Sequence, residues 1–325
     1  MGSMWDIGRK QLEDTFSSKK FLLIMGLFLL LSLASVYLGV QNYNQRMENF
    51  RQEGFRGDIP EKPSLVDVFE IMVSFNLPLA AGVLALLLSY DSVSREREEG
   101  TIELLLSYPV YRDEVINGKF AAGLFTVALA LLIAFTASSG LAIYLTGALP
   151  TMQEVYRIMF MWQGSVVYMA FFFGLGTLYS TIFRSSWRSL IAGMVTLLIF
   201  IATPFIAGFA ADFIYPMKID QGAVQQRTTA YGDMAAEVQS NEAQRRQDII
   251  QKRKAFREKI SRFSPSTSYR NFVKKMLGTS YSSETGLKPG VWESLSAGIG
   301  YLVFLLSETM LMFSAAYAVF MRQDL

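Results

Sequence analysis

The sequence predicts an all-α membrane protein with six transmembrane helices. Three observations carry that expectation. Apolar residues make up 51% of the 325-residue chain and charged residues only 18%, against about a quarter in ordinary soluble domains. The charge is also segregated. The stretches 21–40, 70–90, 119–146, 157–183, 189–211 and 295–321 hold only Glu70, Lys119, Arg157 and Glu308 between them, and every other charged residue lies outside. Finally, each stretch is long enough to cross about 30 Å of hydrocarbon as a helix.

At the N-terminus, Trp5, Leu12 and Phe16 fall on one helical face, and Arg9, Lys10, Lys19 and Lys20 occupy the rest. This pattern predicts an amphipathic helix lying in a membrane interface; a plain polar tail is the alternative. The stretch 21–40 lacks a small-residue cleavage site and reads as a retained first span. Residues 41–69 read as a polar external loop broken by Gly54, Gly57, Pro60 and Pro63.

After the second span comes the densest charged stretch, from Asp91 to Lys119. It encloses an apolar island, Leu104-Leu105-Leu106, that begins after Gly100-Thr101 and stops at Pro109. Thr101 suits an N-cap and Glu103 the first turn. Three leucines cannot form a core, and their charged surroundings keep them out of the bilayer. Two readings follow: the island inserts into a groove on a cytoplasmic partner, or it folds back on the chain's own spans. Asp113 and Glu114 then open the helix that becomes the third span.

Between spans five and six, residues 233–262 contain neither Pro nor Gly and predict a helix. Ile249, Phe256, Ile260 and Phe263 share one narrow apolar face, which predicts packing on one element, a second copy or the preceding helix. Eight basic residues crowd 244–262 against Asp248 and Glu258. They read either as a solvated face or as an anion-attracting surface. Ser264-Pro265 then starts a further helix, which Gly278 closes. Its Tyr269, Phe272, Val273, Met276 and Leu277 form an apolar face, predicting an outer interfacial helix. Trp292 marks the interface where span six enters.

With the N-terminus inside, the short inner segments carry eleven basic residues and the short outer loops five. This predicts cytoplasmic N- and C-termini. The segment 212–294 is then external, where nucleic acid is not a partner. The absence of His and Cys excludes thiol chemistry, disulfides, His-containing zinc sites and a Ser-His-Asp triad. No G-x-x-x-x-G-K-[ST] occurs, so the chain carries no P-loop of its own. A secondary transporter usually has several ionisable groups at depth, whereas only Glu308 lies mid-span here. An intramembrane protease lacks a nucleophile–base pair.

The run D-S-V-S-R-E-R-E-E-G-T-I-E-L-L-L-S-Y-P-V-Y-R-D-E-V-I-N-G-K, residues 91–119, resembles the cytoplasmic segment after the second span of type-2 ABC transporter permeases. That family's pattern is roughly E-R-E-x-G-T-[IL]-E-x-L-L-x-x-P-V-x-R-x-E-[IV]-x-x-G-K. The likeness is strongest to the NosY-like and gliding-type permeases. It implies a permease that dimerises and docks a separate ATPase through a coupling helix at 101–108, with Glu99, Gly100, Thr101, Glu103, Leu104, Leu105, Pro109 and Arg112 as the coupling residues. ATP and magnesium belong to that partner chain, with no cofactor on this one. Export across the plasma membrane of a bacterium or archaeon is the implied activity; a non-transporting scaffold or receptor with an external helical domain is the alternative.

The expected organisation is therefore an interfacial helix at 1–20, spans one to five at 21–211 with a coupling loop at 91–118, an extracellular helical domain at 212–294, and span six with the C-terminus at 295–325. Partners are the ATPase, a second copy and membrane lipid. Glu308, at the costliest depth for a carboxylate, is expected to face protein or a hydrated cavity between protomers, as a pathway or interprotomer residue.

Overall fold

The computed structural model describes residues 3–54, 63–100, 111–216, 233–278 and 288–322. Helices dominate, and there is no strand among the described residues. Six segments are long and apolar enough to cross a membrane: Lys19–Gln52, Leu65–Glu98, Arg112–Thr146, Met152–Ile182, Ser186–Ile214 and Val291–Arg322. Each contains or overlaps one apolar stretch read from the sequence. The chain divides into two compact units, Met1–Leu198 with Ser268–Leu325, and Ile199–Thr267.

In the larger unit, α1 (Ser3–Ser17) lies along α5 (Arg112–Thr146), with Gly8 and Gly118 at the crossing. Ser18 caps α2 (Lys19–Gly54) by accepting the amide of Phe21 at 3.1 Å. The loop expected from residue 41 is helical as far as Gly54. Nothing between 41 and 53 breaks a helix, since the stretch holds neither Gly nor Pro.

The second span is irregular where a plain helix was expected. Ser64 caps a short 3₁₀ turn, Leu65–Phe69, with Asp67 closing the capping box. A π-helical stretch, Met72–Ala81, follows and contains Pro78. Proline cannot donate to the carbonyl four residues back, so the ladder changes register there. Tyr168 donates its hydroxyl to the Pro78 carbonyl at 2.7 Å. Regular helix resumes in α3 (Gly82–Ser89), and a turn leads to α4 (Ser94–Glu98).

α6 (Met152–Ile182) forms the centre of this unit, burying Tyr168, Phe171 and Phe172. α10 (Val291–Arg322) packs along it. α9 (Pro265–Leu277) presents Tyr269, Phe272, Val273, Met276 and Leu277 on one face, and all five are buried. Tyr269 stacks on Tyr168 at 4.8 Å and shares a hydrogen bond with Ser165 at 2.9 Å. Burial holds its phenol above the usual range. Gly164 leaves room for Phe272: a Cβ there would lie 2.5 Å from the ring.

At that end of the bundle, Arg157 is buried and donates to the carbonyls of Met276 and Pro289. These are the end of α9 and the approach to α10. Gly278 there adopts φ +78°, which favours glycine. Lys288 meets Asp67 at 2.5 Å. Glu154 accepts from the Ser64 hydroxyl at 2.6 Å and the Leu65 amide at 2.8 Å.

In the smaller unit, the later part of α7 (Ser186–Ile214) pairs with α8 (Asp233–Ser261). Arg253 donates to the Tyr215 carbonyl at 2.8 Å and pairs with Asp212 at 3.0 Å. Arg257 reaches the same carboxylate at 3.3 Å, and Phe256 packs edge-on against Tyr215. Ile249, Phe256 and Ile260 are half-buried as their shared face predicted, whereas Phe263 is 73% exposed. The helix has ended by then, so Phe263 leaves the stripe. Pro204 lies within α7 and deprives the Phe200 carbonyl of its donor. Ser264 supplies one, its hydroxyl 2.9 Å from that oxygen.

Candidate coupling site

The residues that lead into the predicted coupling segment are tied to most of the spans. α3 ends at Ser89, and Gly100, at φ +69°, terminates α4. Between them the backbone turns so that Val93 and Ser94 present free amides, and the Ser180 hydroxyl accepts both at 2.9 Å. Ser180 is close to the end of α6. One residue on, the Thr181 carbonyl accepts from the Arg97 guanidinium at 2.9 Å.

Glu98 holds the start of α7. One carboxylate oxygen accepts the Ser186 amide at 2.9 Å and the other the Ser186 hydroxyl at 2.8 Å. A carboxylate placed there satisfies an orphan amide and opposes the helix dipole. Ser94 and Ser186 are joined hydroxyl to hydroxyl at 3.0 Å.

Glu96 holds α5. Its carboxylate is 2.6 Å from the Lys119 ammonium, which also donates to the Ser92 carbonyl at 2.6 Å. The Lys119 side chain is only 8% exposed, so its charge depends on these partners. Lys20, at the start of α2, pairs with Asp91 at 3.1 Å and lies over the Tyr90 ring at 4.2 Å. Beneath this polar layer, Val93, Val115, Ile116 and Phe320 form a buried apolar cluster joining α5 and α10. Segment 90–98 thus contacts α2, α5, α6, α7 and α10 through named side chains.

Of the residues singled out from the sequence, Glu99 pairs with Arg95 on the exposed side of α4 at 2.8 Å. Gly100 takes the left-handed conformation with open space around it. Arg112 is the first residue of α5. Thr101, Glu103, Leu104, Leu105 and Pro109 lie outside the described residues. Glu308 is half-buried on α10, and its Oε2 has no hydrogen-bond partner among the described residues. It is not brought to this cluster, and neither is the buried face of α9. No group of three or more His, Cys, Asp or Glu side chains able to hold a metal occurs among the described residues.

Sequence reasoning passed over Ser180, Thr181 and Ser186. Their hydroxyls and carbonyls carry no signal until the fold brings them against α4. Lys119 gave the better clue, being a cation inside a long apolar helix.

Comparison with known proteins identifies the family. The family described as "ABC-2 family transporter protein" matches residues 5–325. The probable ABC transporter permease protein NosY of Stutzerimonas stutzeri is 34% identical over 135 residues, which is 42% of this chain and 44% of the relative. The protein of the same name from Pseudomonas aeruginosa is 36% identical over 143 residues, 44% of this chain and 46% of the relative. Each alignment therefore spans less than half of the relative's length. With a family match along nearly its whole length and six helices able to span a membrane, the chain belongs to the ABC-2 family of transporter proteins, as a membrane-spanning permease subunit.

Proposed function

We propose that this chain is the membrane half of an ABC exporter, working as a pair of copies. Each copy docks one separate ATPase through the segment 101–108, and that subunit binds and hydrolyses the magnesium–ATP. The setting is the plasma membrane of a bacterium or archaeon, with both termini in the cytoplasm. One observation supports this best: the helix immediately before segment 101–108 is anchored to α5 by Glu96–Lys119 and to α7 by Glu98–Ser186. A push on the docked segment is therefore delivered to two spans rather than lost in a loop. Leu104 and Leu105 are the side chains for the ATPase groove, with Glu103 meeting a basic residue of that subunit.

The test is co-purification of the ATPase subunit with the permease. Wild type is expected to carry it, and Leu104→Asp to lose it while remaining membrane-inserted, because truncating or charging a buried anchor removes several kcal/mol. Retention of the ATPase by Leu104→Asp would place the docking site elsewhere.

A further inference from the structure

The smaller unit sets charged side chains beside a membrane-spanning helix at hydrocarbon depth. α7 has 29 residues, about 43 Å at 1.5 Å per residue, and a bilayer core takes about 20 of them. Whichever 20-residue window of α7 fills the core, residues 195–205 are always inside it. α8 runs antiparallel to this helix. Arg257 is held at Asp212, and Ser264, beyond the end of α8, is held at Phe200. Arg262 is two residues from Ser264 and so lies within a turn of the level of Phe200.

The face of α8 turned away from α7 is not apolar. Lys254, Glu258, Lys259 and Arg262 are all exposed, and among the described residues Lys254, Lys259 and Arg262 have no ion-pair partner. Charges on a face turned to hydrocarbon are costly to insert. Long basic side chains at this depth extend toward phosphate groups and water. Next to Arg262 in the chain, Phe263 is 73% exposed. A cationic row bordered by an exposed ring matches a ligand that is anionic at one end and apolar at the other.

We propose that this face of α8 is a hydrated cationic groove that holds the phosphate headgroup of an anionic phospholipid. Lys259 and Arg262 receive the headgroup, and an acyl chain lies along Phe263. The inference rests on the span assignment and not on ATPase docking.

The experiment uses the full chain in nanodiscs of equimolar phosphatidylglycerol and phosphatidylcholine, with retained lipid counted by native mass spectrometry. Wild type is expected to retain phosphatidylglycerol in excess. Lys259→Gln with Arg262→Gln lowers that excess about twenty-fivefold, at about fivefold per basic residue. Arg245→Gln with Arg246→Gln, farther along α8, leaves it unchanged. A wild type with no excess, or an excess indifferent to the Lys259/Arg262 change, overturns the proposal. The second measurement exploits a chain without cysteine. Arg262→Cys should react with a charged, membrane-impermeant thiol reagent, faster with an anionic reagent than a cationic one. Reaction without lipid retention identifies a groove for a soluble anion, and protection with cross-linking between copies identifies a protomer interface; either result also overturns the lipid assignment.

Discussion

The ammonium of Lys119 is 2.6 Å from the Glu96 carboxylate, joining the third span to the short helix that precedes the predicted coupling segment. The pair is asymmetric. Lys119 is 8% exposed at its side chain and Glu96 27%. Removing Glu96 leaves a buried ammonium with the Ser92 carbonyl as its hydrogen-bond partner among the described residues and Asp91 as a nearby carboxylate, whereas removing Lys119 leaves a carboxylate that water can still reach. Glu96→Met should therefore destabilise more than Lys119→Met, by about 3 kcal/mol against a smaller loss. The double variant should recover much of the difference, because no buried charge remains. Thermal unfolding midpoints of the purified permease decide this, and a double variant no better than Glu96→Met alone would sink the argument.

Glu98 accepts both the amide and the hydroxyl of Ser186. Glu98→Ala frees the first turn of α7, so hydrogen exchange at amides 186–188 should quicken by about fivefold, the usual scale for a lost cap. Ser186→Ala keeps the amide bond and should quicken it less. Equal exchange in both variants and wild type would show that the cap holds nothing.

The Ser264–Phe200 bond exists because Pro204 has no N–H to give. Ser264→Ala should cost about 0.5–1.5 kcal/mol, the net worth of one hydrogen bond. Restoring the donor with Pro204→Ala should make Ser264→Ala nearly silent. The four-variant cycle, read by denaturant unfolding, is contradicted if Ser264→Ala costs the same with and without Pro204.

Arg157 holds two carbonyls at once with one planar guanidinium. Arg157→Lys offers a single point of donation and cannot span both. It should lose about 2 kcal/mol and make the end of α9 at Met276 and the approach to α10 at Pro289 more susceptible to limited proteolysis. Proteolysis unchanged from wild type would refute the clamp.

Much of the fold was legible in the sequence because it follows from local quantities. The bilayer demands long apolar helices, and the six stretches with four charges supplied the span count directly. Helix ends were also readable where the chemistry is local: Ser264-Pro265 begins α9 and Gly278 ends it. The π-helical stretch was not foreseen, although Pro78 was the signal for it.

The candidate coupling site was half legible. Its charged, glycine-marked run stands out in composition, and Glu99, Gly100 and Arg112 have their places in the structure at its edges. The residues that anchor it do not stand out. Ser180, Thr181 and Ser186 are ordinary polar residues at a helix junction, and their role depends on which amides and carboxylates arrive beside them. Lys119 was visible as an oddity but its partner Glu96 was not.

By itself the sequence determined the class, the spans and the segment expected to meet a partner, since hydropathy and breaker residues act over a few turns of one chain. Only the tertiary structure decided which polar atoms neutralise one another: Lys119 with Glu96, Ser186 with Glu98, Arg157 with two carbonyls, and Ser264 with the Phe200 oxygen. Those pairings join residues 23 to 132 positions apart, and hydrogen bonds of 2.6–2.9 Å require a relative placement of helices that no local pattern encodes.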